Sequence, residues 1–310
     1  GLFRFDGSRF EIYRHTDNDS TSIGHNTIAA LYDDGQQLIC ATAKTISVLH
    51  KVSGTFRNYP NPMRTGGDYV DIGRTILKDN DGNFWLMGIT GLIKFNSASG
   101  KIEYVVHKRN TPGTISNDTM TMAHFSYDKI RNGFWFATIK GINFYSYSEK
   151  KFYNYLYNPK NWPLFDSKHY QAAVLFRNKL YYFTYFDHTI KTYDFGKGLN
   201  TTLNYPDYNG KKVVSLIDLT HVDIDSTGNM WFGTWQIGTV HLNVIQNKIT
   251  YLKSEINNPF SILEVFSRNV YVDKYGNAWF SHINGISVWN AGNKKMQVYF
   301  PSNNIRLDTS

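Results

Sequence analysis

One cysteine, Cys40, is all that this 310-residue chain contains, so neither an intrachain disulfide nor a thiolate metal cluster can hold it together. Cys40 takes the place of an apolar residue in a predicted strand, and a small buried hydrophobe is the reading it supports. Long apolar runs are missing too: no stretch of about 18 such residues is present, so no segment qualifies as a membrane-spanning helix. No signal peptide is visible. The chain opens on GLFRFDGSRF, the second half of a repeat described below, so the expectation is that it begins inside a longer protein. Glutamate is scarce, with only Glu11, Glu103, Glu149, Glu255 and Glu264. Glycosidases ordinarily need two carboxylates a few ångströms apart. The first three glutamates fall on or beside predicted outer strands, which leaves Glu255 and Glu264. His221, Asp223 and Asp225 alternate along one strand, as the polar side of a strand does with Val222 and Ile224 opposite. A His-x-x-x-His pair and a Gly-x-Ser-x-Gly elbow are both missing. No catalytic residue, metal ligand or cofactor site is assigned, and the chain itself is not expected to be an enzyme.

Positive charge is in excess, with a net +8, which favours anionic partners. The lysines and arginines are dispersed, however; the densest cluster is His107, Lys108 and Arg109. Without a basic helix, zinc-finger spacing or RNA-binding signature, nucleic acid is not an expected partner.

What the chain has in abundance is aromatic residues, 16% of the total, and they recur in register. The phrase Gly-x-x-Trp-aromatic, followed by a Gly and another apolar strand, appears as GNFWLMGITGLIKF from Gly82, NGFWFATIKGINFY from Asn132, GNMWFGTWQIGTVHL from Gly228 and GNAWFSHINGISVW from Gly276. Degenerate copies are QQLICATAKTISVL from Gln36 and KLYYFTYFDHTIKTY from Lys179. Equivalent positions are Ile39, Trp85, Trp135, Tyr181, Trp231 and Trp279, spaced by 46, 50, 46, 50 and 48 residues. A period of that size built from short strands and tight turns indicates a propeller or a similar array. Between Thr75 and His107 the unit reads as four strands, A to D. TILKD leads through the turn DNDGN to FWLMG, then past Gly91 to LIKFN, and on to an outer strand in SASGKIEYVVH. The strand-B Trp or Tyr is expected to fill the space between neighbouring blades.

The fold class is therefore all-β: a β-propeller of four-stranded antiparallel blades. Six copies run from about Ser22, Gly66, Ser116, Asp166, Val213 and Ser261. GLFRFDGSRFEIYRH before them reads as strands C and D, and SNNIRLDTS after them as the start of a strand A. A seventh blade, composite or incomplete, is expected from these ends. The repeat runs through residues 1–310 with no linker, so a single domain, part of a longer protein, is expected.

A propeller frame is scaffold, and function is sought in its loops. The acidic residues Asp79, Asp81, Asp128, Asp225 and Asp273 lie in predicted A–B turns. DNDG at Asp79 resembles the opening of a calcium loop, but the distal Glu and the helices are missing, and a turn role is preferred. The B–C loops differ in every copy: AKT, ITG, IKG, FDHT, WQIG and HING. The ligand-binding candidates are Lys44, Lys140, Tyr185, His188, Trp235, Gln236, His282 and Asn284 from these loops, with Trp162 and Glu264 from the D–A segments. Arg64, Lys108, Arg109, His169 and Tyr170 occur in the same D–A segments. Flat aromatic faces cover pyranose rings, and amides and charges bond hydroxyls or carboxylates. Trp235 and Trp162 stand out because a Trp in a loop exposes much apolar area unless it packs or binds.

The residues also resemble a family. Asp225, Gly228, Trp231, Gly233 and Thr234 are similar to the Asp-x-x-Gly-x-x-Trp-x-Gly-Thr pattern of the regulator-propeller repeat, as are Asp79, Gly82, Trp85 and Gly88 with Gly91 and Leu92 following. NTPGTISND from Asn110, NNPFSIL from Asn257 and NDSTSIGHN from Asn18 resemble that family's inter-blade phrase. The copy around Tyr181 departs most, lacking the Asp-x-x-Gly turn and the Gly-Leu, and its blade is expected to be reshaped. The resemblance implies the extracytoplasmic, periplasmic sensor of a Bacteroidetes-type hybrid two-component system that recognises an oligosaccharide. The parent protein would carry an immunoglobulin-like domain, a membrane-spanning helix, a histidine kinase and a response regulator, none of them in this chain. A homodimer is compatible with such a sensor. The net charge inclines the ligand towards an anionic sugar. Two other classes stay open: an interaction scaffold, and a propeller glycoside hydrolase or lyase.

Overall fold

The computed structural model describes all residues except 6–9, 62–71, 89, 122–123, 186–188, 204–218, 256 and 301–310. The chain divides into two compact units, Gly1–Lys168 and His169–Ser310. The described residues contain strands and no helix. They form six four-stranded antiparallel sheets and one two-stranded sheet, the blades of a β-propeller.

In the first unit, β1 (Leu2–Phe5) pairs with β2 (Phe10–Tyr13). Blade one is β3 (Ile28–Asp33), β4 (Gln37–Thr42), β5 (Thr45–His50) and β6 (Thr55–Pro60). Blade two is β7 (Ile72–Lys78), β8 (Phe84–Gly88), β9 (Gly91–Asn96) and β10 (Lys101–Val105). Blade three is β11 (Ser126–Asp128), β12 (Gly133–Thr138), β13 (Gly141–Ser146) and β14 (Lys151–Tyr153). The second unit holds blade four, β15 (Tyr170–Phe176), β16 (Lys179–Thr184), β17 (Ile190–Asp194) and β18 (Leu199–Leu203). Blade five is β19 (Leu219–Ile224), β20 (Asn229–Thr234), β21 (Thr239–Asn243) and β22 (Lys248–Leu252). Blade six is β23 (Asn269–Val272), β24 (Ala278–Ser281), β25 (Ile286–Asn290) and β26 (Lys295–Tyr299). The two-stranded sheet occupies the C and D strands read from the opening sequence. The closing strand A expected in SNNIRLDTS lies outside the described residues, as do Arg64 and His188.

The repeated Asp and Trp explain each other. In blade two the Asp79 Oδ1 accepts the backbone N–H of Asp81 at 3.0 Å and of Asn83 at 2.7 Å, which closes the A–B turn. Its Oδ2 accepts the Trp85 Nε1–H at 2.9 Å. Asp128 with Trp135 at 2.8 Å and Asp273 with Trp279 at 3.0 Å repeat the bond. A buried indole N–H needs an acceptor, and the turn supplies one. The turn itself demands glycine: Gly82, Gly228 and Gly276 have φ of 79°, 90° and 83°, the left-handed region where a side chain is strained. These aspartates therefore act in turns, with their oxygens already engaged.

Strand B is the interior of each blade. Every residue of β8 and β12 is buried. Trp85 packs on Phe134 and Tyr145 of blade three at 5.2 and 4.8 Å between ring centroids, the inter-blade filling expected of it. Cys40 is fully buried in β4 against Leu2, Ile23, Leu49 and Phe56, and burial raises its thiol pKa to about 12. The copy around Tyr181 is less reshaped than expected. Blade four keeps four strands, with β16 paired on both sides. Arg177, at φ 55°, carries the tight turn that Asp-x-x-Gly makes elsewhere.

The inter-blade phrase is a plug. Ile23, Ile115 and Ile262 are each 1% exposed or less, and each lies five residues after an Asn with positive φ: Asn18, Asn110 and Asn257 at 65°, 57° and 67°. Asn tolerates that conformation better than other side chains. The next residue donates its backbone N–H to strand C, from Gly24 to Ser47, Ser116 to Asn143 and Leu263 to Ser287. The D–A segment is thereby pinned, and the residues just after the plug are held at the loop end of the blade.

Candidate functional site

In the second unit the B–C loop of blade five is stapled to the segment leading into blade six. Thr234 ends β20, and its hydroxyl donates to the Gly238 carbonyl at 2.6 Å. The Thr234 carbonyl accepts the Ser267 N–H at 3.0 Å, and Gly238 donates its N–H to Val265 at 2.8 Å. These bonds fix Trp235 over Phe266, the rings stacked at 4.6 Å and 17°. Trp235 remains 45% exposed. The pair is a flat apolar shelf held by backbone on both sides.

His282 braces the shelf from below. The Phe266 carbonyl can only accept, so the 2.8 Å contact places the proton on His282 Nδ1. Nε2 then accepts from the Ser287 hydroxyl at 2.9 Å, while Ser287 Oγ accepts the Leu263 N–H. The chain of bonds accommodates a neutral ring. Burial lowers the His282 pKa, outweighing the Phe266 carbonyl and the Glu264 charge, which raise it. Glu264 closes the neighbouring loop by accepting from the N–H of Ile283 and Asn284 at 3.2 Å each and from Asn284 Nδ2 at 2.6 Å. Asn284 and Gln236 are exposed. Val265 and Ile283 stand out at 46% and 67% exposure.

Blade four carries a second stack. Tyr185, just after β16, lies on His169 at 4.4 Å and 11°, and its N–H bonds the His169 carbonyl at 3.0 Å. Burial lowers the His169 pKa, so this partner also prefers to be neutral.

The expected residues thus separate into groups. Trp235, Gln236, Glu264, His282 and Asn284 come together at one edge of blades five and six, and Tyr185 marks the same end of blade four. Lys44 and Lys140 are exposed B–C residues of blades one and three. Two of the expected residues are engaged in packing or bracing. Trp162 is half-buried on Trp135, Phe144, Phe165 and Tyr153 at 5.3 to 6.0 Å, clasped through both its backbone groups by Asn158; its apolar area is spent on packing. His282 has both nitrogens committed and acts as a brace. Tyr170 begins β15 and is 1% exposed, a core residue. Phe266 was not anticipated; the signal was two further apolar residues, Val265 and Phe266, so soon after the Ile262 plug.

No family model matches the chain, and no curated protein does. Solved structures do resemble it. The extracellular domain of BT4673 from B. thetaiotaomicron, described as a hybrid two component system in one structure and a one component system in another, superposes with a TM-score of 0.66 at 19% identity. The match covers 93% of this chain and 35% of that one. The extracellular domain of the B. thetaiotaomicron hybrid two component system BT3049 gives 0.56 at 16% identity, over 89% of this chain and 47% of that one. U3-55K gives 0.58 at 13% identity, with 89% and 82% covered. The class these likenesses define is the β-propeller. The chain spans about a third of the length of the BT4673 extracellular domain. The frame alone does not fix a function.

Proposed function

We propose that this chain is the extracytoplasmic ligand-sensing propeller of a hybrid two-component system, located in the periplasm, and that it binds an oligosaccharide without chemical turnover. One observation carries the site: the stacked, half-exposed Trp235–Phe266 shelf, fixed by backbone bonds and flanked by the Gln236 and Asn284 amides. A pyranose face lies on such a shelf, and the amides address its hydroxyls. Support for the sensor role comes from the extracellular domains of BT4673 and BT3049, which share the fold, and from the repeat phrases quoted above. Glu264 fits a positioning role better than acid catalysis, because three donors already hold its carboxylate.

Signalling then works by population shift: the ligand prefers one arrangement of the sensor, alone or as a homodimer, and the kinase equilibrium moves by that difference in affinity. We read β1 and β2 as the outer half of a seventh, composite blade. The test is calorimetric titration with defined acidic and neutral oligosaccharides while release of products is monitored. Saturable binding without turnover supports the sensor. Turnover would reassign the chain to carbohydrate-active enzymes, and no heat with any sugar would favour an interaction scaffold.

A further inference from the structure

At the opposite ends of the same strands, the A–B and C–D turns of blades five and six enclose a cavity of about 510 Å³, well inside the size range of small-molecule sites. The equivalent place on blade two measures only about 230 Å³. The sequence explains the difference. Trp85 of blade two faces Phe134, Tyr145 and Phe152 of blade three. Trp231 of blade five meets Ala278, Trp289 and Met296 at the corresponding positions. Ala278, itself fully buried, stands in blade six where Phe134 stands in blade three.

The chemistry diverges with the shape. Trp85, Trp135 and Trp279 each donate Nε1–H to their turn aspartate. Trp231 does not: it is 2% exposed, lines the cavity, and its Nε1 has no hydrogen-bond partner. The indole lies instead against His241 at 4.2 Å and 18°. Asp225 is filled by Thr227 and Asn229. In blade two Lys101 is neutralised by Glu103 at 2.5 Å. In blade five the matching residues are Lys248 and Thr250, so the carboxylate is gone. Lys248 and Lys294 both line the cavity, beside the Asp225 carboxylate that Thr227 and Asn229 already hold, and make no ion pair among the described residues. The cavity therefore offers two cations beside aromatic rings.

We infer that this cavity is a second ligand site, distinct from the Trp235–Phe266 shelf, for a sugar-sized organic anion: one ring bearing a carboxylate, the chemistry of a uronic acid. The carboxylate meets Lys248 and Lys294, and ring oxygens meet the Gln246, Asn243 and Thr250 side chains.

The probe is D-glucuronate, titrated into the 310-residue chain by calorimetry, with D-glucose and sodium sulfate as comparators. We expect saturable glucuronate binding, with glucose and sulfate each weaker by about tenfold or more, since charge-assisted bonds and ring contacts are both needed. The Lys248→Met/Lys294→Met double variant should weaken glucuronate by about tenfold. Lys129→Met/Lys160→Met, which removes the same charge elsewhere, should keep wild-type affinity. No saturation with wild type, equal binding of glucose or sulfate, or an unchanged Lys248/Lys294 variant would each overturn the proposal.

Discussion

At the residue scale, identical aromatic letters do different work according to what surrounds them. Trp135 is enclosed and bonded to Asp128. Trp135→Ala should cost about 3–5 kcal/mol, the usual range for a large aromatic cavity, measured by denaturant unfolding. Trp235 is half exposed on one supporting ring. Trp235→Ala should weaken oligosaccharide binding by about tenfold or more while shifting the melting temperature little, since truncating a hot-spot aromatic costs ≥ 2 kcal/mol of binding. A large stability loss with unchanged affinity would show the shelf to be structural. From the sequence, the Asp…Trp spacing was legible because it serves one blade's own turn. Trp162 was not, because whether a loop indole packs depends on Trp135 and Phe144 reaching it from other strands.

At the element scale, the D–A phrase is the strongest local device. Its Asn sets a positive φ, its Ile enters the core, and its next N–H bonds strand C. Ile262→Ala should destabilise by about 2–5 kcal/mol. It should also loosen the segment that carries Glu264 and Phe266, raising backbone amide exchange at Gly238 and Ser267, whose bonds join that segment to blade five. Unchanged exchange beside a large stability loss would separate the plug from the shelf. The phrase could be recognised as a recurrent linker before the structure was known. Its role as a clamp on the shelf could not, because the bonds from Ser267 and to Val265 cross between blades five and six.

At the scale of the whole molecule, titration sets a window of stability. His169, His241 and His282 all have pKa values lowered from 6.5, each mainly by burial. A histidine depressed in the folded state keeps its full contribution above the unfolded value and loses it as pH falls below. The turn aspartates Asp225 and Asp273 lie below 3.8: burial opposes this, but amide and backbone bonds, with the Trp279 indole at Asp273, prevail. Their contribution is lost at still lower pH. Tyr145 and Tyr153 are raised to about 12, first by burial, so their contribution fades as pH rises past 10. The melting temperature should therefore plateau between about pH 7 and 10 and decline in two acidic steps, one below about 6.5 and one below about 4. A scan by circular dichroism checks this, and a melting temperature that rises from pH 7 to 5.5 would contradict the histidine assignment. The net charge of +8 further predicts that binding of an acidic oligosaccharide weakens with added salt more than that of a neutral one.

The sequence by itself determined the blade: its period, its four strands, the Asp-to-Trp spacing and the recurrent linker phrase. Each depends on residues within one repeat or at one junction, where the chain's own periodicity enforces contact. Tertiary structure decided which aromatics remain exposed, which histidine is a brace, and where a cavity opens. Those outcomes depend on pairs such as Trp235 with Phe266 and Trp231 with Trp289, brought together only when separate blades pack, so no single repeat encodes them.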